Sequence, residues 1–246
     1  MEPHDTRPLY CRPEAFDTLA RELEGIDTAR GLLRCATAVS MQQLKSVSLA
    51  DVEAEVDALA GTIRERVQSD QPRALLAHAH AVLFDEARFT GNLDDYYHPA
   101  NSYMSRILIT RRGLPITLAL LYKCVLESVG LRVVGINAPG HFLAGLIDPE
   151  LTGAALPHRD ATHRPGPLLV DPFEGGRIMT RDEAFARIEQ IAGGGIARDD
   201  ALLRPASHTD WLIRIIHNLV GAFERLDQRD DRAAMLEMRA LVESVR

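Results

Sequence analysis

The stretch 115–130, PITLALLYKCVLESVG, constrains this chain more than any other. Read as a helix, it carries Leu118, Leu120, Leu121, Val125, Leu126 and Val129, and hardly any polar face remains. A helix that is apolar all round is enclosed on most sides, so the fold has to be built around it. Pro115 suits the first turn, where a missing N–H is no loss, and Gly130 suits the end, where a left-handed residue closes the helix. Lys123 and Glu127 interrupt the run, and no stretch of the chain reaches the roughly 20 apolar residues of a membrane span.

The flanks supply what could enclose it. Residues 14–69 read as helical, with a break near Gly25. Leu49, Val52, Val56, Leu59, Ile63 and Val67 form one stripe, and Ser48 or Asp51 is placed to cap it. Pro72 opens a further helix over RALLAHAHAVLFDEARF. TGNLDDYYHPANS is dense in turn formers and reads as an ordered loop pinned by Tyr96 and Tyr97, after which Asn101 reads as the N-cap of SYMSRILITRR. Downstream, LRVVGINA and HFLAGLID read as strands joined at Pro139-Gly140, with LLVDPF as a third. The polar insertion PELTGAALPHRDATHRPGP between them is expected at the surface. Gly193-Gly194-Gly195 reads as a linker. Beyond it, Trp211, Ile215, Leu219, Phe223 and Leu226 form one stripe, and Met235, Met238 and Leu241 or Val242 a second. They make an antiparallel helical hairpin about DQRDD. A lone hairpin cannot bury its own stripe, so it must lean on the core. The expectation is an α+β fold in three parts: a helical region over 1–72, a core over 73–192 and the hairpin over 193–246.

Composition excludes some roles. The formal charge is −7 and no Lys/Arg stripe stands out, which argues against broad binding of nucleic acid or an anionic membrane. The opening MEPHDTRPLYCRPEAF has neither a basic nor an apolar leader region, so a cytoplasmic protein is expected. Cys11, Cys35 and Cys124 are odd in number and widely spaced, with no CxxC pair, and are expected to be inert thiols. His78 and His80 lie two apart on a helix and face different ways. His158, Asp160 and His163 share a loop without a firm fourth ligand, so no metal and no cofactor are expected.

The block from FDEARFTGNLDDYYHPANSYMSRILITRRGLPITLALLYKCVLESVGLRVVGINAPGHFLAG to LLVDPFEGGRIMT resembles the SirB-type branch of the transglutaminase-like superfamily. The match runs over roughly 82–182. Its specific pieces are N-x-Y after the DDYY loop, RRG-L-P-I-T-L, PGHFL and DPF-x-GG. The resemblance implies a papain-like core, with the central buried helix against a small antiparallel sheet, and a tetratricopeptide-like tail. It also implies a Cys at the start of the central helix, where the helix N-terminus favours the thiolate, followed by a His that takes its proton and an Asp that orients the His. By motif these are His141 and Asp171. The Cys position falls at Pro115 or Ile116, neither of which has a nucleophilic atom. Cys124 lies nine residues beyond Pro115, about 13 Å along a helix. Thr117 is the nearby hydroxyl. Tyr96, Tyr97, Asn101 and Arg112 are candidate binding residues over the helix start. The leading expectation is a non-catalytic binding, protein-interaction or regulatory module whose partner is another protein or peptide. The rival is an amide- or peptide-bond hydrolase or acyl transferase, using the His–Asp pair with water or Thr117.

Overall fold

The computed structural model describes residues 7–152, 166–195 and 197–245. The fold is α+β. Helix α1 (Pro13–Glu22) enters on a proline, and α2 (Ala29–Ser40) is capped by Thr28, whose side chain accepts from the Gly31 N–H. For α3 (Leu49–Arg66) the cap is Ser48, accepting from the Asp51 N–H at 3.2 Å. Helix α4 (Pro72–His80) widens into a π-helical turn over Ala81–Glu86. A two-residue strand β1 (Thr90–Gly91) then pairs in parallel with β2 (Arg112–Gly113), and α5 (Met104–Thr110) lies between them.

Helix α6 (Pro115–Ser128) is the predicted central helix, and every residue from Pro115 to Leu126 is buried. It packs on a five-stranded antiparallel sheet of order β6-β5-β4-β3-β7. The strands are β3 (Val133–Ile136), β4 (Leu143–Leu146), β5 (Leu168–Asp171), β6 (Arg177–Met179) and β7 (Pro205–Ala206). Helix α7 (Pro149–Thr152) follows β4, and α8 (Arg181–Ala192) follows β6 through a capping box of Thr180 and Glu183. Even the buried lysine of α6 is satisfied. Lys123 Nζ donates to Glu127 Oε1 at 2.5 Å and to the Val133 carbonyl at 2.6 Å, and Glu127 in turn accepts the Val133 N–H. The charge that interrupted the apolar run thus ties α6 to β3.

The hairpin of α9 (His208–Arg225) and α10 (Arg229–Ser244) leans on this core. Trp211 donates from Nε1 to the Ile116 carbonyl at 3.1 Å, and its ring centroid lies 4.6 Å from that of Phe142. The approach is close enough to require glycine on the sheet: a Cβ at Gly135 would sit 2.4 Å from the Trp211 ring. At the other end of the chain, the N–H groups of Leu9, Tyr10 and Cys11 all donate to the Glu237 carboxylate on α10. One buried hydrophobic cluster runs from Cys11 to Val242, across both boundaries read from the sequence.

Three local expectations need correction. Asn101 does not cap α5: a 3₁₀ turn over Pro99–Ser102 intervenes, and the N-cap is Tyr103, with no side-chain cap. Leu226 does not extend the α9 stripe, because the helix stops at Arg225 and Leu226 is 53% exposed. The loop 90–102 begins with strand β1.

Trp211→Ala is expected to lower stability by about 3–5 kcal/mol, as large aromatic truncations in cores do. Trp211→Phe, which keeps most of the packing and removes the donor to Ile116, is expected to cost about 1 kcal/mol. Denaturant midpoints of the two variants measure both, and the protein should lose its hairpin and core in one transition.

Candidate functional site

His141 follows the Pro139-Gly140 turn and precedes β4; Asp171 ends β5, next to β4 in the sheet. Adjacent antiparallel strands therefore bring together residues thirty apart in sequence. His141 Nε2 lies 2.7 Å from Asp171 Oδ2, and both side chains are buried. The other carboxylate oxygen, Oδ1, accepts the Phe173 and Glu174 N–H groups, so Asp171 also caps the 3₁₀ turn over Pro172–Glu174. Its backbone carbonyl accepts the Gly176 N–H at 2.9 Å. The Phe173 ring stands edge-on to His141, centroids 6.0 Å apart. With Nε2 engaged, Nδ1 is the imidazole atom left for any further interaction.

At the start of α6 the first residues are Leu114, Pro115, Ile116 and Thr117. The Thr117 hydroxyl is fully buried. It donates to the Asn101 carbonyl at 2.8 Å and accepts the Leu114 N–H at 3.1 Å. Those two bonds join the helix start to the loop before it. The Asn101 side chain continues the link: its Nδ2 donates to the carbonyls of Asp95 and Tyr96, and its Oδ1 accepts from Asn92. Asn101 is a strut inside the loop.

The two tyrosines diverge. Tyr96 is half-buried, edge-on to Phe173 at 6.0 Å, which puts it one ring away from His141. Burial pushes its phenol up, Tyr97 adds to this and Arg214 opposes it, so α9 reaches this loop. Tyr97 is 58% exposed and carries the Arg225 guanidinium 4.0 Å above its ring. Arg112 is exposed and pairs with Asp94 at 2.8 Å. A continuous row, His141–Phe173–Tyr96–Tyr97–Arg225, thus leads from the buried pair to the surface. Phe173 and the α9 arginines in this arrangement escaped the sequence reading; the DPF motif and the turn of α9 were the available signals.

All three thiols are buried and bonded elsewhere or shielded. Cys11 Sγ donates to the Ala234 carbonyl, and Cys124 Sγ to the Ala29 carbonyl. Burial is the main cause that pushes each of Cys11, Cys35 and Cys124 up to about 12, far from the thiolate range. No hydrogen bond or ring contact joins a cysteine to His141 among the described residues. Among them, too, no group of three His, Cys, Asp or Glu is gathered in metal-binding geometry, and no helix is long and apolar enough to cross a membrane. His158, Asp160 and His163 lie outside the described residues.

Behind the site stands a second, partly buried polar pair. His80 Nε2 lies 2.8 Å from the Tyr122 hydroxyl in the middle of α6, with Phe84 of the π-turn edge-on to His80 and stacked on Tyr122. Phe84 presses on Gly176, where φ is +78° and a Cβ would lie 2.2 Å from the ring. Only glycine meets both conditions, and this glycine carries the turn closed by Asp171.

Comparison with known proteins agrees with this architecture. Residues 50–217 match the profile of the transglutaminase-like superfamily. A UPF0162 protein of Xylella fastidiosa is 36% identical over 169 residues, covering 68% of this chain and 54% of that one. A UPF0162 protein of Pseudomonas aeruginosa is 26% identical over 210 residues, covering 85% and 68%. Human F-box only protein 21 is 29% identical over 208 residues, covering 75% of this chain and 31% of its own length. The chain spans about half the length of the Xylella relative it matches. No solved structure gives a significant match.

The His80 environment has a pH signature. Burial holds this imidazole down at about 4 against its ordinary 6.5, with Asp85 opposing. A depressed folded value means a contribution that is complete above pH 6.5 and is lost as pH falls from 6.5 through 4. At pH 4 the loss should approach about 3 kcal/mol. His80→Gln, which can still bond Tyr122 but does not titrate, should flatten that part of the acid limb in urea midpoints measured between pH 7 and 4. His208, lowered also by burial, acts in the same direction and remains in the variant.

Proposed function

This chain belongs to the transglutaminase-like superfamily, and on that premise we propose that it is a non-catalytic module that binds an acidic segment of another protein. The observation that carries the reading is the chemistry missing at the start of α6. The His141–Asp171 pair is well formed, and the helix start where the resemblance expects its nucleophile reads Leu114-Pro115-Ile116, none of which offers one. Thr117 has the hydroxyl in the first turn, and its hydrogen bonds to Asn101 and Leu114 occupy it as a structural tie. The cysteines are buried, which pushes their thiols up to about 12, and Cys11 and Cys124 are bonded to carbonyls elsewhere. An acyl enzyme needs a nucleophile within hydrogen-bond reach of its base, and this arrangement supplies a base alone.

The shape beside it suits binding. A cavity of about 460 Å³ opens between α9, α10 and β7. Arg204, Arg214, His217 and Arg239 line it, with Asp210 on the same wall and Asn137 from the strand-end that leads to His141. Arg239 also pairs with Glu243. In a protein of net charge −7, a groove with three guanidinium groups is a local reversal of sign, and it selects a negatively charged partner. The α9–α10 pair is the kind of helical hairpin that takes protein segments in a groove.

A fluorescent glutamate-rich peptide should bind the purified protein, more weakly as salt rises, and its glutamine analogue should not. Arg214→Glu should weaken binding about tenfold or more, roughly 1.4 kcal/mol. Equal binding of both peptides would remove the acidic-segment reading. Turnover of an amide-substrate panel that disappears in His141→Gln would replace the module with the rival hydrolase or acyl transferase.

A further inference from the structure

A second cleft, of about 380 Å³, lies between the start of α3 and α5 and is separate from the groove on α9. Val47, Val52, Leu108 and Ile109 are among its walls, and Ile109 is 71% exposed at the rim. Single exposed aliphatic residues are ordinary on a protein surface. One that borders a cleft already lined with apolar side chains extends an apolar face, and such faces mark interaction sites.

The charges on α3 decide what this face would accept. The helix carries two pairs of carboxylates four residues apart, and the fold treats them differently. Glu53 and Asp57 are neutralised by α2: Arg34 reaches Glu53 at 2.9 Å and Arg30 reaches Asp57 at 2.7 Å. Asp51 and Glu55 line the cleft, are exposed, and have no cationic partner among the described residues. Asp51, in the first turn, suits the helix dipole, but Glu55 lies a full turn further in and gains nothing from it. Arg111 also lines the cleft, with its guanidinium 4.8 Å over the Phe89 ring, so the lining stays net negative. A bare cation would leave the apolar walls wet, and a purely apolar segment would leave both carboxylates unanswered. We propose that the cleft is a docking site for a basic amphipathic segment of a partner protein. An aliphatic side chain of that segment enters between α3 and α5 and covers Ile109. Two Lys or Arg residues one helical turn apart pair with Asp51 and Glu55, as Arg34 and Arg30 pair with Glu53 and Asp57.

Titration of the isotope-labelled full chain with a short acetylated helical peptide, lysine at every fourth position and leucine beside each, tests this by amide chemical shifts. The shifts should concentrate at the start of α3 and along α5, and affinity should fall as salt rises. Asp51→Asn with Glu55→Gln should weaken binding about threefold or more, and Ile109→Ser by a similar factor. Asp57→Asn, on the same helix but outside the cleft, should change it little. All four positions are exposed, so the circular dichroism of these variants should match that of the parent. Peptides with serine in place of leucine, or glutamate in place of lysine, should leave the cleft amides unmoved. The glutamate peptide is expected on α9 and α10 instead, which reads the two grooves apart in one spectrum. Cleft shifts from the glutamate peptide equal to those from the lysine peptide, shifts from the lysine peptide that lie elsewhere, or none at all, overturn the proposal. So does self-association that Ile109→Ser abolishes, which would give the cleft to a second copy of this chain.

Discussion

The structure depends on the complete enclosure of one helix. Twelve successive residues of α6, Pro115 to Leu126, are out of contact with solvent, so its polar groups must be answered from within the protein. Three answers organise the surrounding elements. Thr117 binds the carbonyl of Asn101 and fastens the tyrosine loop to the helix start. Lys123 binds the Val133 carbonyl and Glu127, and sets β3 against the helix. Trp211 donates to the Ile116 carbonyl and docks the C-terminal hairpin. Apolar burial supplies most of the favourable free energy; these bonds decide which element sits where.

The same logic explains why the hairpin is part of the body. Trp211 fills the space above Gly135 and against Phe142, and α10 reaches back to hold the first described residues through Glu237. The groove of Arg204, Arg214 and Arg239 is formed at this junction, from β7, α9 and α10 together. It would not survive removal of the hairpin, since two of its three walls are the hairpin.

Much of this was legible in the residues, for identifiable reasons. The period of α3, the proline entries of α4 and α6, and the Trp211 and Met235 stripes depend on local pattern, and local pattern survives folding. The His141–Asp171 pair followed from motif resemblance, with antiparallel neighbours β4 and β5 as the physical reason for their meeting. What stayed hidden is non-local. Strand β7 is two residues long and exists only because Ala206 and Pro205 lie beside Gly135 and Ile136. Asn101 has the chemistry of a cap, but its partners are carbonyls five and six residues earlier, fixed by the fold of the loop. Helix α8 did carry a local signal, the T-R-D-E of its capping box, in a stretch whose sparse apolar residues gave no clear stripe.

The presence of the His–Asp pair is weak evidence for catalysis, and the geometry explains why. Asp171 accepts from His141 and from two backbone N–H groups while fully buried, so it serves two strands and a turn at once. Removing the imidazole would leave a buried carboxylate short of a partner, a change that costs about 3–5 kcal/mol in comparable buried pairs. Replacing a thiol at the helix start by a residue such as Pro115 or Ile116 strands no charge and no donor, and Pro at the first turn has a conformation the helix already requires. The two losses are therefore unequal. The His141–Asp171 pair therefore has a use in the fold whether or not any chemistry is attached to it.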